Sequence, residues 1–395
     1  HTRLVGDWSS DVCSSDLPQR DRAVDPFWVS RQSLDAASGA LKPGCGWLPA
    51  DWMPTEALRR AFRGLARAED AVLADYGATR GSLALRRTLM ARFADEGLDA
   101  SPDQVLLTMS GTQAIDLICR FLLRPGDTVL VDDPCYFNFR ALLRAHQVKL
   151  VSVPYTPSGP DVASFEAVLE AERPRLYITV SGLHNPTGAT MSPQTAHRVL
   201  NAATACDLTI VEDDIFADFE PEPSARLAAL DGLNRVIRIG SFSKTLSASL
   251  RCGFIAARAD WIEQLVDLQV ATGFGGPCAV ATEIIASVLA TGFYRKHVEE
   301  LRRRLARARR DVGEKLQRIG IEPWLMPRGG FQLWCRLPDG CDSADVARAA
   351  LADNIVLAPG NVFSTTQSAS GFMRFNVAQC RDPKLMPALQ RALGR

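Results

Sequence analysis

Apolar and polar positions along this chain fall into two rhythms. QVLLTMSGTQAIDLICRFLL opens on a short continuous apolar run, breaks at a glycine and continues with apolar residues at helical spacing. That is the pattern of a strand, a turn and a helix. Four further apolar runs, DTVLVDDP, RLYITVSG, LTIVEDDIF and RVIRIGSFSK, read as strands, and helical spacing lies between several of them, as over Thr195–Ala205. Strands that are apolar throughout and alternate with helices predict an α/β fold with a buried, mostly parallel sheet. Upstream, Thr55–Asp75 and Leu83–Phe93 also carry helical spacing. After about Thr291 the pattern changes to a long charged helix, HVEELRRRLARARRDVGEKLQRI, followed by short strands around Gln332–Leu337 and Phe372–Val377. This tail predicts a smaller α+β domain.

The first residues are rich in Ser and Asp and have neither rhythm. An unstructured arm is expected over residues 1–35, with globular patterning setting in from about Phe27. The stretch GDWSSDVCSSDL resembles a translated adaptor junction as much as it resembles protein, and the chain starts at His1 rather than Met. A floppy arm and a replaced natural N-terminus both remain open. The expected division is then a small-domain segment and linker over 36–70, a large domain over 71–290 and a small C-terminal domain over 291–395.

Composition removes several classes. A hydrophobic fraction of 47% and a charged fraction of 23% over 395 residues are globular values and exclude disorder, collagen and coiled coil. No uncharged apolar run reaches the ~18 residues of a membrane-spanning helix. Lys+Arg 45 against Asp+Glu 45 leaves no basic surplus, so DNA binding by this chain is not expected. The ten cysteines are scattered, with no C-x-x-C pair, which fits neither a disulfide framework nor a zinc site. A reducing cytoplasm suits them.

Candidate chemistry lies at the strand ends. In SFSKTLSASLRCGF, Lys244 follows an apolar strand and is flanked by Ser241, Ser243, Thr245 and Ser247, with Arg251 close in sequence. A desolvated lysine beside another cation is deprotonated more easily, and the neutral amine forms a Schiff base with an aldehyde. The hydroxyls and Arg251 would suit a phosphate; a surface turn with an incidental lysine is the alternative. Ser110-Gly111-Thr112-Gln113 joins a strand to a helix, a junction that directs free N–H groups at an anion, although many such turns bind nothing. Glu212, Asp213 and Asp214 follow the strand LTIV, where α/β sheets place ligands. One of them could pair with a protonated pyridine nitrogen or a metal, or cap a helix, but the five histidines show no ligand spacing. Asn185 in SGLHNPTG could donate to a phenolate or carbonyl oxygen. Arg374, in the apolar strand MRFNVA, wants a carboxylate.

In this order and spacing, YGATRGSLALRRTL, SGTQ, DDPCY, HNPTG, EDDIF, SFSKT, LRCGF and MRFNVA together resemble the class I/II aminotransferases. These are the fold-type I enzymes that use pyridoxal 5′-phosphate (PLP). The resemblance runs from about residue 35 to the C-terminus. It implies that Lys244 holds PLP and shuttles the substrate α-proton, and that Asp213 pairs with the pyridine nitrogen. It also implies that Asn185 donates to the phenolate oxygen and that Tyr136 stacks on the ring. Gly111, Thr112, Ser241, Ser243 and Arg251 would cradle the phosphate. Tyr76 would reach the phosphate of a neighbouring subunit, implying a homodimer with shared sites, and Arg374 would grip the substrate α-carboxylate. One position departs: the family usually has a tyrosine where this chain has Phe216, which leaves Asn185 as the main phenolate donor.

The segment GCGWLPADWMPTEALRRAF resembles one subgroup especially, the aminotransferase-like domains of GntR-type, MocR-subfamily transcription regulators. Two functions therefore stand: a transaminase acting on an amino acid and a 2-oxo acid, and the PLP-binding sensor half of a regulator. The transaminase ranks first. The stretch ATGFGGP carries no cation, which favours neutral or aromatic substrates over dicarboxylic ones.

Overall fold

The computed structural model describes residues 26–36 and 39–394. Its main sheet has eight strands: β1 (Val105–Thr108), β2 (Thr128–Asp133), β3 (Lys149–Thr156), β4 (Gly159–Pro160), β5 (Leu176–Thr179), β6 (Thr209–Asp213), β7 (Val236–Ser241) and β8 (Gly253–Ala256). They lie in the order β1-β8-β7-β6-β5-β2-β3-β4. Strands β7, β6, β5, β2 and β3 run parallel, whereas β8 is antiparallel to both β7 and β1. The apolar runs are buried on both faces, as a sheet covered by helices requires. One apolar cluster fills each face, and the larger continues into the C-terminal sheet through Phe331, Leu333, Met373 and Phe375.

The helices begin where the sequence supplies caps. Ser110 Oγ accepts from Gln113 N at 3.0 Å to open Gly111–Leu122. Ser192 Oγ accepts from Thr195 N at 3.1 Å, with Pro193 in the first turn of Pro193–Ala205. The expected helix over Thr55–Asp75 is two, Thr55–Leu65 and Asp70–Ala74. The charged helix starts earlier than its charge pattern, at Gly292, and runs 27 residues to Arg318.

A second, antiparallel sheet contains β9 (Glu322–Pro323), β10 (Gln332–Arg336), β11 (Ala358–Pro359) and β12 (Phe372–Asn376), in the order β11-β12-β10-β9. Near the start of the described chain, Leu41 bridges to Ile355 and Gly44 N donates to Val356 O at 3.0 Å, so this segment lies against the C-terminal region. The unstructured arm expected over 1–35 needs correction at its end: Pro26–Asp35 is a helix, and Val29 is buried with Phe137, Trp334 and Phe363. The rest of the arm lies outside the described residues.

Candidate active site

Parallel strands place their ligand-facing loops at their C-terminal ends. There the chain leaves β2 towards Tyr136, β5 towards Asn185, β6 at Asp213 and β7 at Ser241–Lys244. Arg374 arrives from β12, so the cluster is drawn from both sheets.

Lys244 Nζ donates to Gly46 O at 2.7 Å. Burial, with the Arg374 guanidinium as the next cause, pushes the lysine down to about 8, against weaker opposing pulls from Cys45 and Asp213. A lysine so placed is partly neutral near physiological pH, as an amine that attacks an aldehyde must be. Arg374 is 2% exposed. Its Nη1 donates to Asn185 Oδ1 at 2.9 Å and its Nη2 to Gly44 O at 2.7 Å, while Phe363 lies under the guanidinium at 4.7 Å. Its Nε is buried without a hydrogen-bond partner among the described residues.

The three carboxylates of EDD do three different things. Glu212 is buried; it accepts from Leu227 N at 2.8 Å, from Ala228 N at 2.9 Å and from the Ser181 hydroxyl, and so caps the helix Leu227–Asp231. Asp214 is held between Arg226 Nε at 2.8 Å and Arg238 Nη2 at 2.5 Å. Asp213 has no ion pair; its one hydrogen bond, among the described residues, comes from Ile215 N at 3.2 Å. Burial raises it to about 7, and neighbouring Asp214 adds to the rise. A buried carboxylate without a cation is costly, and a cationic N–H is the partner that would relieve it. Of the roles left open for this segment, the helix cap falls to Glu212.

Around the expected phosphate position, Ser241 Oγ lies 2.7 Å from Ser243 Oγ and donates to Cys252 O at 3.1 Å. Gly253 pairs with both Thr108 and Ser241, which brings the helix start at Gly111 against the end of β7. The approach needs glycine: a Cβ there would sit 2.8 Å from Gly240 O and 2.9 Å from Gly111 N. Thr112 is exposed, and its hydroxyl accepts from Asn138 Nδ2 at 3.4 Å. Arg251 is exposed with a positive φ of 45° and lowers the Lys244 pKa only weakly. Burial raises the Tyr136 phenol, with Arg374 opposing the rise and Asp213 adding to it.

Tyr76, expected at the phosphate of a neighbouring subunit, is 83% exposed and packs edge-on to Phe274 at 5.0 Å; among the described residues no hydrogen bond joins it to the cluster of its own chain. Phe216 is buried with Phe219 and Phe331, so its ring packs the core. The sequence reading missed the backbone of Gly44–Trp47. Asn376 Nδ2 donates to Cys45 O at 3.0 Å and to Trp47 O at 2.7 Å, pinning that loop over Lys244 and Arg374. The only signal for it was the GCGW motif.

These residues fit pyridoxal phosphate: an unpaired buried carboxylate for a ring N–H⁺, a partly neutral lysine for the aldehyde, and hydroxyls beside a helix start for the phosphate. Comparisons with known proteins agree. The family profile described as aminotransferase class I and II matches residues 48–391. The chain is 29% identical over 91% of its length to YdcR of Escherichia coli, named an uncharacterised HTH-type transcriptional regulator, and covers 78% of that protein. It is 29% identical to aromatic-amino-acid aminotransferase 1 of Thermococcus litoralis, covering 88% of this chain and 85% of the relative. Among solved structures, the α-aminoadipate aminotransferase LysN of Thermus thermophilus, complexed with N-(5′-phosphopyridoxyl)-L-leucine, superposes with a TM-score of 0.83 at 27% identity, over 93% of this chain and 94% of that one. A kynurenine aminotransferase of Pyrococcus horikoshii with PMP gives 0.82 at 26%, covering 91% of each.

Proposed function

The chain belongs to the aminotransferase class I and II family, whose cofactor is pyridoxal 5′-phosphate, and from that premise we propose that it transfers the amino group of a neutral or aromatic α-amino acid to a 2-oxo acid, with Lys244 as the cofactor's lysine. The observation that carries the reading is Asp213, a buried carboxylate with no ion pair among the described residues, within electrostatic reach of a lysine brought down to about 8.

When bound, pyridoxal phosphate supplies the electron sink that makes loss of the α-proton feasible. Asp213 would hold the pyridine N–H⁺, and Asn185 Nδ2 would donate to the phenolate oxygen. Ser241, Ser243 and the N–H groups at Gly111–Thr112 would hold the phosphate, with Arg251 at its rim. Tyr136 would cover the ring. Lys244 Nζ, freed from Gly46 O, would take the α-proton and return it. Arg374 would exchange Gly44 O for the substrate carboxylate.

Supports for the neutral or aromatic class are the cation-free ATGFGGP stretch and the name of the Thermococcus relative. A second relative at 29% identity is named for 2-aminoadipate, so a dicarboxylic substrate is the competing outcome. The exposed Tyr76–Phe274 pair supports a homodimer with shared sites, and the change of pattern near residue 290 supports a large and a small domain. No helix among the described residues is long and apolar enough to cross a membrane.

The likeness to YdcR favours a second reading, a PLP-binding sensor domain. One experiment separates the two: the holoprotein is offered a panel of amino acids with a 2-oxo acid, and keto-acid product is counted per site. Many turnovers establish the transaminase, whereas shifts of the cofactor absorbance without product establish the sensor.

A further inference from the structure

The helix Gly292–Arg318 reaches the lysine turn through side chains that bond the residue next to Lys244. Tyr294 and His297, three apart and so on one face of that helix, both end on Thr245, the residue after Lys244. Thr245 is 3% exposed; its Oγ1 lies 2.7 Å from Tyr294 Oη, and its carbonyl lies 3.0 Å from His297 Nε2. Tyr294 Oη also donates to Asp218 Oδ2 at 2.6 Å.

Proton counting fixes every direction in this group. Burial would raise Asp218, but the Arg92 guanidinium paired with it holds it below the usual carboxylate range, so it only accepts. Tyr294 spends its one proton on Asp218, and Thr245 must therefore donate to Tyr294. A carbonyl also only accepts, so His297 carries a proton on Nε2; burial lowers the pKa of that imidazole. Arg302 Nε, one further turn along, donates to Asp218 O at 2.8 Å. The helix thus holds the turn that carries Lys244 and the turn that follows Asp213.

We infer that Tyr294 and His297 are positioning residues for Lys244, setting the direction of its amine by fixing the hydroxyl and the carbonyl of Thr245. The inference rests on Lys244 as the cofactor's lysine. Within Ser243–Leu246, Thr245 alone among the described residues bonds to the long helix. The other backbone N–H bonds within the turn are local, Ser243 N to Ser241 Oγ and Leu246 N and Ser247 N to Phe242 O, while Phe242 N ties its base to Cys252 O at 3.2 Å and the Lys244 side chain reaches Gly46 O. Beyond Phe242, the bonds from Tyr294 and His297 are what hold the backbone next to Lys244 from outside the turn.

The test uses the cofactor-loaded full chain and the variants Tyr294→Phe, Thr245→Val, Thr245→Ser and the double Tyr294→Phe/Thr245→Val. Visible circular dichroism, which reads the twist between lysine and cofactor ring, is recorded alongside the pH titration of the visible band and the melting temperature. The groups facing Lys244 (Asp213, Arg374, Arg251 and Cys45) are unchanged in every variant, so a shift reports geometry. Tyr294→Phe and Thr245→Val should each lower the dichroic amplitude about twofold or more, or move the titration midpoint by about half a pH unit. The double variant should do no more than Tyr294→Phe alone, because that change already removes the bond to the Thr245 hydroxyl along with the one to Asp218. Thr245→Ser should restore wild-type values. Should Tyr294→Phe not fold, His297→Ala against His297→Gln, which keeps a side-chain N–H, makes the same comparison. Lower melting temperatures with wild-type dichroism and midpoint would overturn the inference, leaving the bonds as a staple between layers. A wild-type chain with no visible band, or with its pyridoxyl group on another lysine after borohydride, overturns the Lys244 assignment and this inference with it, and that result appears before any substitution is made.

Discussion

Arg374 Nη1 donates to Asn185 Oδ1 at 2.9 Å, and this one bond fixes which way the Asn185 amide faces. Arginine has no acceptor, so the amide oxygen must be the atom turned towards it. The NH₂ is left to point away, and no residue described uses it. The residue that grips a carboxylate therefore also aims the amide expected to serve the cofactor oxygen.

Arg374→Lys keeps the charge but loses the planar fork, the second donor and the stack on Phe363. Amino-acid binding should weaken about 10- to 100-fold, the worth of one charge-assisted hydrogen bond, while the cofactor stays bound. Titrating amino acids into the holoprotein and following the visible band reads this. Equal loss of cofactor and amino acid would mark Arg374 as a structural residue instead.

Adjacent carboxylates should separate cleanly by substitution. Asp213→Ala should cut cofactor affinity, measured by PLP titration of the apo chain, with little loss in melting temperature. Asp214→Ala strips the buried Arg226 and Arg238 of a shared carboxylate and should cost about 3–5 kcal/mol of stability. The reverse pattern would shift the pyridine partner by one residue.

Asp213 also gives the apo chain a pH signature. Burial raises it from 3.8 to about 7, so the folded state binds the proton more tightly than the unfolded state. Its stabilising effect is complete below pH 3.8 and is lost as pH rises towards 7. Asp213→Asn should remove that slope. The stability difference between variant and wild type should move in the variant's favour by up to about 4 kcal/mol between pH 4 and pH 7. Urea unfolding of both apo chains at the two pH values measures it, and parallel pH curves would contradict it.

Gly253→Ala places a methyl group against Gly240 O and the start of the Gly111 helix, where overpacking costs about 1–3 kcal/mol. Because Ser241 and Gly111 meet at that point, cofactor affinity should fall with stability. Isothermal titration with PLP, compared with free inorganic phosphate, would show whether the loss lies at the phosphate end.

The sheet was readable because most of its strands are buried on both faces and so carry unbroken apolar runs, as in Val105–Leu107 or Val129–Val131. Direction was not: nothing in GFIA says that β8 runs against its neighbours, since an apolar run carries no arrow. The polar residues at strand ends, Asp213, Lys244 and Asn185, were readable because charge and amide stand out directly after such runs. What distinguishes Asp213 from Asp214 was not, because Arg226 and Arg238 select Asp214 through the fold. The Lys244–Gly46 contact spans 198 positions and uses a backbone carbonyl, which every residue has. The helix over Pro26–Asp35 was missed because ten residues with few apolar positions give a weak periodic signal.

Asn376 sits two residues beyond Arg374 on the same strand, and its amide carries the carbonyls of Cys45 and Trp47. The hand that takes hold of the carboxylate and the flap above it are thus one mechanical part. A ligand that draws the strand inward is expected to bring the flap down in the same stroke, shutting out water as it is seized. An amino acid held too weakly to move β12 would then meet an open, wet site, so the chain would tell its ligands apart by whether they can close the door behind themselves.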